Sequence, residues 1–349
     1  AVSIVLAISA CSSPPASTPA LTSVTSTELA AGQELQIAFM PDIHFHDIYA
    51  SFSDGAFAGL PNSQSGKNAT IRSMAAQLKS TRLFNENYFA LLAALDDAGM
   101  VQQGVSFGAL FLVSGMEETL RVNGKVSATE DGKATLEVEE CYLHCAKSFR
   151  RSGFWQARQV AAFPDDTAKF VSKSTFLAVA TVNSRGQVDV SPKGDPENFL
   201  IQEHDGFISY ADRPGNRRID SFHNILEQPA VAIMALVPGH KHILEIKGAA
   251  EIRADEDLLQ RFEVQGKTPG LVTSVAVTSK HIKLSAAIES AALWPAENGP
   301  EELVPAEIFK AHIKQSSESS LQAKVARAAV SLPGAMAKGL ELDYKKNMY

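Results

Sequence analysis

The sequence predicts an α+β fold built mainly from short antiparallel strands, and three observations support this prediction. Residues 170–295 alternate short apolar strands with turn sequences and contain one helical pattern. Residues 112–131 align without gaps on residues 236–255. The flanking stretches, 46–100 and 301–349, carry helical patterns. We therefore expect a small closed antiparallel barrel, an additional partial barrel, a helical N-terminal segment and a helical C-terminal tail.

The composition excludes some classes of protein. The chain has a net charge of −7, whereas a general nucleic-acid-binding protein more often carries a broad positive face. We therefore expect no nucleic-acid partner. The three cysteines, Cys11, Cys141 and Cys145, are too few for a disulfide framework. A zinc site at Cys141 and Cys145 would need further ligands.

The N-terminal stretch, residues 1–33, differs from the rest of the chain. A short apolar run leads to Ile8-Ser9-Ala10-Cys11, and a tether rich in serine, proline and threonine follows. This pattern resembles the end of a bacterial lipoprotein signal, with Cys11 as the lipid anchor. It would place the protein on a membrane, in the periplasm or outside the cell. The alternatives are an ordinary apolar segment, or a fused one on a cytoplasmic protein.

Residues 34–100 carry a possible metal motif. Asp42 and His44 follow an apolar stretch, and a carboxylate and an imidazole at a strand end can hold a metal ion. The pattern resembles the opening motif of the calcineurin-like metallophosphoesterases. A two-metal site of that kind needs a Gly-Asn-His segment, which this sequence lacks. We therefore interpret Asp42 and His44 as the vestigial metal site of a truncated segment.

The gapless alignment indicates an internal repeat. Gly115 aligns with Gly239, and Gly124 aligns with Gly248. In this frame Gly239-His240-Lys241-His242, which fits the last phosphoesterase motif by its letters, lies at a hairpin turn.

The first copy of the repeat, residues 105–156, is a partial barrel, because the residues before it are helical in pattern. We infer a junction of unrelated coding sequences near residues 100–105. A partial barrel exposes strand edges and an apolar face. We expect it to pack on the complete copy as an intrachain pseudo-dimer, or on a second chain in a homodimer.

The complete copy spans residues 165–300. Asn183-Ser184-Arg185-Gly186 and His204-Asp205-Gly206 are hairpin loops between short strands. The stretch AVAIMALV, residues 230–237, is typical of a buried strand. In the C-terminal extension, residues 301–349, the periodicity predicts helices at 306–313 and 321–330.

The segment YADRPGNRRIDSF, residues 210–222, concentrates positive charge at a turn. It holds a Gly-Asn pair and three arginines, Arg213, Arg217 and Arg218. A turn uses glycine and asparagine, but it has no need of three guanidinium groups. Guanidinium groups bind phosphate through paired hydrogen bonds, and the helix expected to begin near Arg218 offers unpaired N–H groups. The alternative is a solvated turn whose arginines pair with neighbouring aspartates.

Four motifs in a fixed order resemble the pyridoxamine 5′-phosphate oxidase family: SPKGDP, DRPGNRR, NILEQPAVAI and LEIKGAAEI. The resemblance covers about residues 165–295 and part of 105–156. It implies an FMN-binding split β-barrel of antiparallel Greek-key type, with FMN bound where two barrels meet. It also implies that the FMN phosphate is held by Arg213, Asn216, Arg217 and Arg218.

The SPKGDP motif supplies the second set of cofactor-binding residues that the resemblance implies: Ser191, Lys193, Gly194 and Asp195. Ser191 and Lys193 would hydrogen-bond the flavin ring or its ribityl chain, and Gly194 would permit close approach of the backbone. Asp195 would orient Lys193. Many members of the family have arginine where Lys193 stands, and the alternative is an ordinary turn at a strand end.

These patterns together predict an FMN-dependent oxidoreductase that acts on an unidentified small molecule. Two alternatives stay open: a metal-dependent phosphoesterase lipoprotein, and a non-enzymatic carrier of flavin or haem on the same barrel. No residue stands out as the catalytic acid or base. His223, on the helix after the arginines, is more typical of a structural hydrogen-bonding residue.

We expect the purified chain to show no metal-dependent hydrolysis of a generic phosphoester, because Asp42 and His44 lack the partners of a two-metal site. The measurement compares the chain with its Asp42→Asn variant in the presence of Mn²⁺. Hydrolysis by the unchanged chain that is lost in Asp42→Asn would contradict this expectation.

Overall fold

The computed structural model describes residues 3–7, 43–51, 87–95, 103–112, 115–130, 133–158, 166–215, 218–296, 304–314 and 321–349. The strands of the first sheet are β1 (Ser3–Ala7), β2 (Ile43–Ser51), β3 (Asn87–Leu95), β4 (Ser106–Leu112), β5 (Thr119–Glu130) and β6 (Lys133–His144). Those of the second are β7 (Phe176–Val182), β8 (Val188–Gly194), β9 (Gln202–His204), β10 (Phe207–Ala211), β11 (Ala230–Leu236), β12 (His242–Arg253) and β13 (Val272–Leu284). The α-helices are α1 (Lys147–Ser152), α2 (Thr167–Lys173), α3 (Asp220–Glu227), α4 (Glu256–Gln260), α5 (Ala286–Ala291), α6 (Pro305–Lys314), α7 (Leu321–Ala329) and α8 (Ala335–Lys346). Antiparallel sheets with few helices confirm the α+β fold class.

The first sheet contains strands where we expected helices. Each of its strands pairs with the next, and β1 pairs with β6, so the ladder closes on itself. The expected helical N-terminal segment is therefore wrong for β2 and β3, which complete the partial barrel. The stretch NYFALLAAL in β3 is apolar at almost every position, so its periodicity fits a helix or a buried strand equally. This stretch is a strand because its backbone pairs with β2 and β4.

Some of the N-terminal residues with expected roles lie on these strands. His44 lies inside β2 opposite Ala94, and not beyond the end of a strand as we expected. Residues 3–7, from the expected signal segment, form β1. Asp42, Cys11 and the tether lie outside the described residues.

The second sheet is open. Its strand order is β8-β7-β11-β12-β13-β10-β9, with β8 and β9 at the edges. The closed barrel expected for the complete copy is thus corrected to a ladder that does not close, as in a split barrel. The predicted hairpins at 183–186 and 204–206 and the buried strand β11 are confirmed.

The aligned parts of the two sheets share a local geometry. Both β5 and β12 carry a register shift next to a glycine, Gly124 in one and Gly248 in the other. A Cβ added at either position would overlap with a carbonyl oxygen of the adjacent strand. The positions therefore need glycine for the same physical reason. A common origin of the two segments stays a prediction.

An aromatic core joins the two sheets. Leu110, Leu112, Phe149 and Phe154 from the first half pack with buried side chains of the second half, among them Phe176, Val190, Met234 and Trp294. The indole Nε1 of Trp294 donates a hydrogen bond to the carbonyl oxygen of Phe154 at 2.7 Å. The sequence led us to expect apolar contact between residues 110–126 and 170–250, and this core provides it.

A second core lies on the other face of the second sheet, where α2 and α3 pack on β7, β11 and β12. The C-terminal helices α6 and α7 match the periodicity, but α8 was not predicted. Within the described parts of the chain, no helix is both long and apolar enough to span a membrane.

We expect Phe176→Ala to lower the free energy of unfolding by about 3–5 kcal/mol, because removal of this fully buried ring leaves a cavity in the core between the two sheets. The ring of Phe176 lies 4.9 Å from that of Phe149 and 4.8 Å from that of Phe154, measured between centroids. Urea unfolding provides the measurement. The matched control is Phe199→Ala, at a ring that is 38% exposed, for which we expect a loss below about 1 kcal/mol. Equal losses in the two variants would contradict the role of the aromatic core.

Candidate functional site

A cleft lies where the two halves meet. One wall comes from the ends of β5 and β6 and from α1, and the other comes from the end of β8 and from residues 211–215 and 218–222. The described residues that we expected to bind a cofactor line this cleft together: Ser191, Lys193, Gly194, Asp195, Arg213 and Arg218. Asn216 and Arg217 lie outside the described residues, between Gly215 and Arg218, which both line it.

Gly194 brings the two walls into contact. A Cβ added there would overlap with the carbonyl oxygen of Ser148 in α1, so a side chain at this position would push α1 away from β8. The carbonyl oxygen of Gly194 accepts a hydrogen bond from Nε of Arg151 at 2.9 Å. The glycine therefore permits a close backbone approach, as we expected, although its neighbour here is the first half of the chain.

Two arginines from different halves share one buried carboxylate. Nε of Arg213 lies 2.7 Å from Oδ2 of Asp195, and Nε of Arg151 lies 3.5 Å from Oδ1. The side chains of Arg151, Asp195 and Arg213 are 5%, 1% and 6% exposed, so solvent does little to screen their charges. Asp195 thus orients arginines, and not Lys193 as we expected.

This buried triad carries surplus positive charge. Burial raises the pKa of Asp195, and the guanidinium groups of Arg213 and Arg151 act in the opposite direction. With the carboxyl ionised the triad has a net charge of about +1, and with it protonated the charge is larger. A buried surplus of this sign is stabilised by an anion in the cleft.

The other cations around the cleft have carboxylate neighbours. Nζ of Lys193 lies 3.7 Å from Oδ1 of Asp212, and burial lowers the pKa of this lysine while Asp212 opposes the shift. Nε of Arg218 lies 2.7 Å from Oδ2 of Asp220, the first residue of α3. Arg218 is therefore paired with a neighbouring aspartate, as the solvated-turn alternative requires, and it also lines the cleft at the start of a helix.

The first half contributes side chains that we did not predict. Arg121, His144, Lys147, Ser148 and Arg151 line the cleft. Oγ of Ser148 and Nδ1 of His144 are buried and have no hydrogen-bond partner among the described residues. An unpartnered buried polar atom is costly, so a ligand that hydrogen-bonds these atoms would stabilise the site.

A sequence signal for this wall existed in the alignment of LHCAKSFRRSGFW with IKLSAAIESAALW. The first stretch is residues 143–155, the second is residues 282–294, and each ends at a tryptophan. The informative difference is that Lys147, Arg150 and Arg151 in the first stretch align with Ala286, Glu289 and Ser290 in the second. Basic residues that occur in only one of the two aligned stretches indicate a site on that side of the contact between the two halves.

His144 is held neutral. Burial, and then the charge of Arg121, lower the pKa of His144 to about 3. The guanidinium of Arg121 is itself paired with Asp189, which also accepts a hydrogen bond from Nδ2 of Asn123 at 3.1 Å. A neutral imidazole offers one donor and one acceptor to a ligand.

The described residues show no metal-binding cluster. No group of three or more His, Cys, Asp or Glu side chains among them could hold a metal ion. His240 and His242 lie with ring centroids 4.9 Å apart, and the backbone N–H of His242 donates to Nδ1 of His240. Cys145 is a half-buried free thiol in the wall of the cleft, and burial raises its pKa.

The comparison with known families bears on the second half of the chain. Residues 163–289 match the family model described as pyridoxamine 5′-phosphate oxidase. This match supports the resemblance on which flavin binding was expected. It does not extend to residues 34–100, and the resemblance of that segment to the metallophosphoesterases is not supported.

Solved structures give similarities over about a third of the chain. A putative pyridoxamine 5′-phosphate oxidase from Lactobacillus delbrueckii is 19% identical over 36% of this chain and 99% of its own, with a TM-score of 0.27. HupZ from Group A Streptococcus is 16% identical over 34% of this chain and 92% of its own, with a TM-score of 0.28. An F420 reductase is 19% identical over 34% of this chain and 98% of its own, with a TM-score of 0.26. These identities are too low to indicate a shared activity. No curated protein gives a significant match.

We expect His144→Gln to reduce the amount by which the free energy of unfolding falls when the pH is lowered below about 7. The pKa of His144 is about 3 in the folded chain, whereas the ordinary pKa of a histidine side chain is 6.5. As the pH falls through 6.5, the unfolded chain takes up a proton that the folded chain excludes, so stability falls by about 1.4 kcal/mol per pH unit.

The loss of unfolding free energy between about pH 7 and about pH 5 should therefore be smaller in His144→Gln by about 2 kcal/mol. Urea unfolding at each pH provides the measurement. The control is His223→Gln, because the side chain of His223 is 70% exposed. The same loss in His144→Gln as in the unchanged chain would contradict the buried neutral state.

Proposed function

We propose that the cleft binds FMN and that the protein is an FMN-dependent oxidoreductase, similar to the pyridoxamine 5′-phosphate oxidases, with an unidentified small-molecule substrate. The observation that carries the proposal is the buried Arg151–Asp195–Arg213 triad. Two members of the triad, Asp195 and Arg213, line the cleft from within residues 163–289, which match the family model, and Arg151 lines it from the first half of the chain.

The residues present fit a phosphate-bearing ligand. Guanidinium groups and a serine hydroxyl are typical phosphate donors, and the cleft offers Arg151, Arg213 and the unpartnered Oγ of Ser148. Helix α3 begins at Asp220, two residues after Arg218, and a helix N-terminus favours an anion. Asn216 and Arg217 stay predicted phosphate contacts.

The residues present also fit a flat polar ring. Ser191, Lys193 and the neutral His144 line the cleft with hydrogen-bonding groups. Lys193 has a lowered pKa because of its burial, so its ammonium group gains from any additional acceptor in the cleft. These residues would bind and orient the ring, and the aromatic core behind β8 would exclude water from that side.

A flavin supplies the transfer of electrons when it is bound. The chain supplies position, a positive potential at the phosphate end and hydrogen-bonding groups of fixed protonation. Catalytic residues stay unassigned. The observations do not favour the phosphoesterase alternative.

Both walls of the cleft come from one chain. We infer that the first half acts as the intrachain partner of the second, as a pseudo-dimer, and that this cleft needs no second chain. The close approach of Gly194 to Ser148 and the shared Asp195 support this inference. A lipid anchor at Cys11 stays a prediction.

We expect the purified chain to show the visible absorption of oxidised flavin after incubation with FMN, and to bind FMN more tightly than riboflavin. Arg217→Ala and Arg218→Ala should each weaken FMN binding about ten- to a hundredfold, because each removes a charged hydrogen bond to phosphate. Fluorescence titration gives the dissociation constants. The matched control is Arg253→Ala, whose side chain pairs with Glu251 and Asp255 away from the cleft.

Unchanged FMN affinity in both arginine variants would contradict the phosphate site. Loss of the visible bands on anaerobic addition of NADH or NADPH would support an oxidoreductase. A bound flavin that neither nucleotide reduces would favour a carrier.

A further inference from the structure

The C-terminal strap, residues Asp343–Tyr349, crosses from one wall of the cleft to the other. It begins on α1, where Oδ2 of Asp343 lies 2.8 Å from Nζ of Lys147. The hydroxyl of Tyr344 donates to Oε1 of Glu118 at 3.0 Å and accepts from the backbone N–H of Ala146 at 3.3 Å. This end of the strap is thus fixed to the first half by buried contacts.

The other end of the strap lies on the two arginines of the triad. Nη1 of Arg151 donates to the carbonyl oxygen of Met348 at 2.7 Å. The ring of Tyr349 faces both guanidinium groups, with its centroid 5.8 Å from Cζ of Arg151 and 5.4 Å from Cζ of Arg213. Nζ of Lys267, in the second half, donates to the backbone oxygen of Tyr349 at 2.8 Å.

One ring between two cations has a specific electrostatic effect. Arg151 and Arg213 repel each other, and the single carboxylate of Asp195 balances only one of them. The negative face of an aromatic ring attracts a guanidinium group at this distance. The ring therefore favours the arrangement in which both arginines lie together beside the cleft, where both can bind the same anion.

The hydrogen bonds of Arg151 limit its other orientations. Its Nε donates to Gly194, and its Nη1 donates to the carbonyl oxygens of Pro214 and Met348. These contacts come from the wall opposite α1 and from the strap, so the strap supplies part of the frame that fixes the guanidinium plane. Fixed donors bind an anion more tightly than donors that must be ordered on binding.

We propose that Tyr349 is a positioning residue for the anion site: its ring holds Arg151 and Arg213 in the arrangement that binds the phosphate of the cofactor. This inference rests on the proposed function. Tyr349 acts through the arginines, so its effect should appear in the binding of FMN and be absent in the binding of riboflavin, which has no phosphate.

The experiment measures dissociation constants for FMN and riboflavin by fluorescence titration in four forms: the unchanged chain, Tyr349→Ala, Tyr349→Phe and Lys338→Ala. We expect Tyr349→Ala to raise the constant for FMN about three- to tenfold and to leave that for riboflavin unchanged. Tyr349→Phe keeps the ring and should restore FMN binding. Lys338→Ala, at an exposed position of α8 that precedes the strap, should change neither constant, and thermal unfolding checks that each variant is folded.

The outcomes separate this inference from the proposed function. An unchanged FMN constant in Tyr349→Ala would overturn the positioning role, as would equal weakening of FMN and riboflavin, since a damaged pocket wall affects both ligands. If the unchanged chain does not prefer FMN over riboflavin, the phosphate site itself fails, and the role of Tyr349 fails with it.

Discussion

The carboxylate of Asp195 holds two arginines that belong to different halves of the chain, and the geometry of the cleft depends on this contact. Arg151 comes from α1, and Arg213 comes from the loop before α3. Taking three charged groups out of water is expensive unless each is paired. The halves therefore have to meet closely enough for Asp195 to reach both arginines, and the lack of a side chain at Gly194 permits that approach.

The packing around this contact follows from the open second sheet. Its edge strand β8 would expose unpaired backbone groups and a row of apolar side chains. Leu110 and Leu112 of β4 share a buried core with Val188 and Val190 of β8. This packing brings the basic wall of α1 opposite the SPKGDP segment. The contact that buries the apolar side chains of β8 therefore also forms the cleft.

The sequence was informative where local chemistry decides the structure. The hairpins at 183–186 and 204–206, the buried strand β11 and the start of α3 after the arginines are all set by turn residues and by continuous apolar runs. The strand β3 was missed because a fully apolar stretch fits two periodicities, and only its pairing with β2 and β4 decides between them.

The cleft was predicted in part for a related reason. Its second-half residues form compact motifs, SPKGDP and DRPGNRR, that can be recognised by themselves. The first-half wall includes Ser148 and Arg151 of the short helix α1 and His144, which precedes it. The role of these residues depends on what packs against α1. Tyr349 is almost 200 residues from Arg151 in the sequence. Such contacts join residues that are distant in sequence, so the only signal for this wall was the set of basic residues found in one of the two aligned stretches.

Because the two walls of the cleft are covalently linked, their assembly does not depend on the protein concentration. When two chains build a site together, the fraction of assembled sites falls as the protein is diluted. Here α1 and β8 are tethered through the short connection between residues 156 and 167, so their encounter is intramolecular and has a constant effective concentration. With the first half as the intrachain partner that we propose, the cleft forms to the same extent in a dilute solution as in a concentrated one.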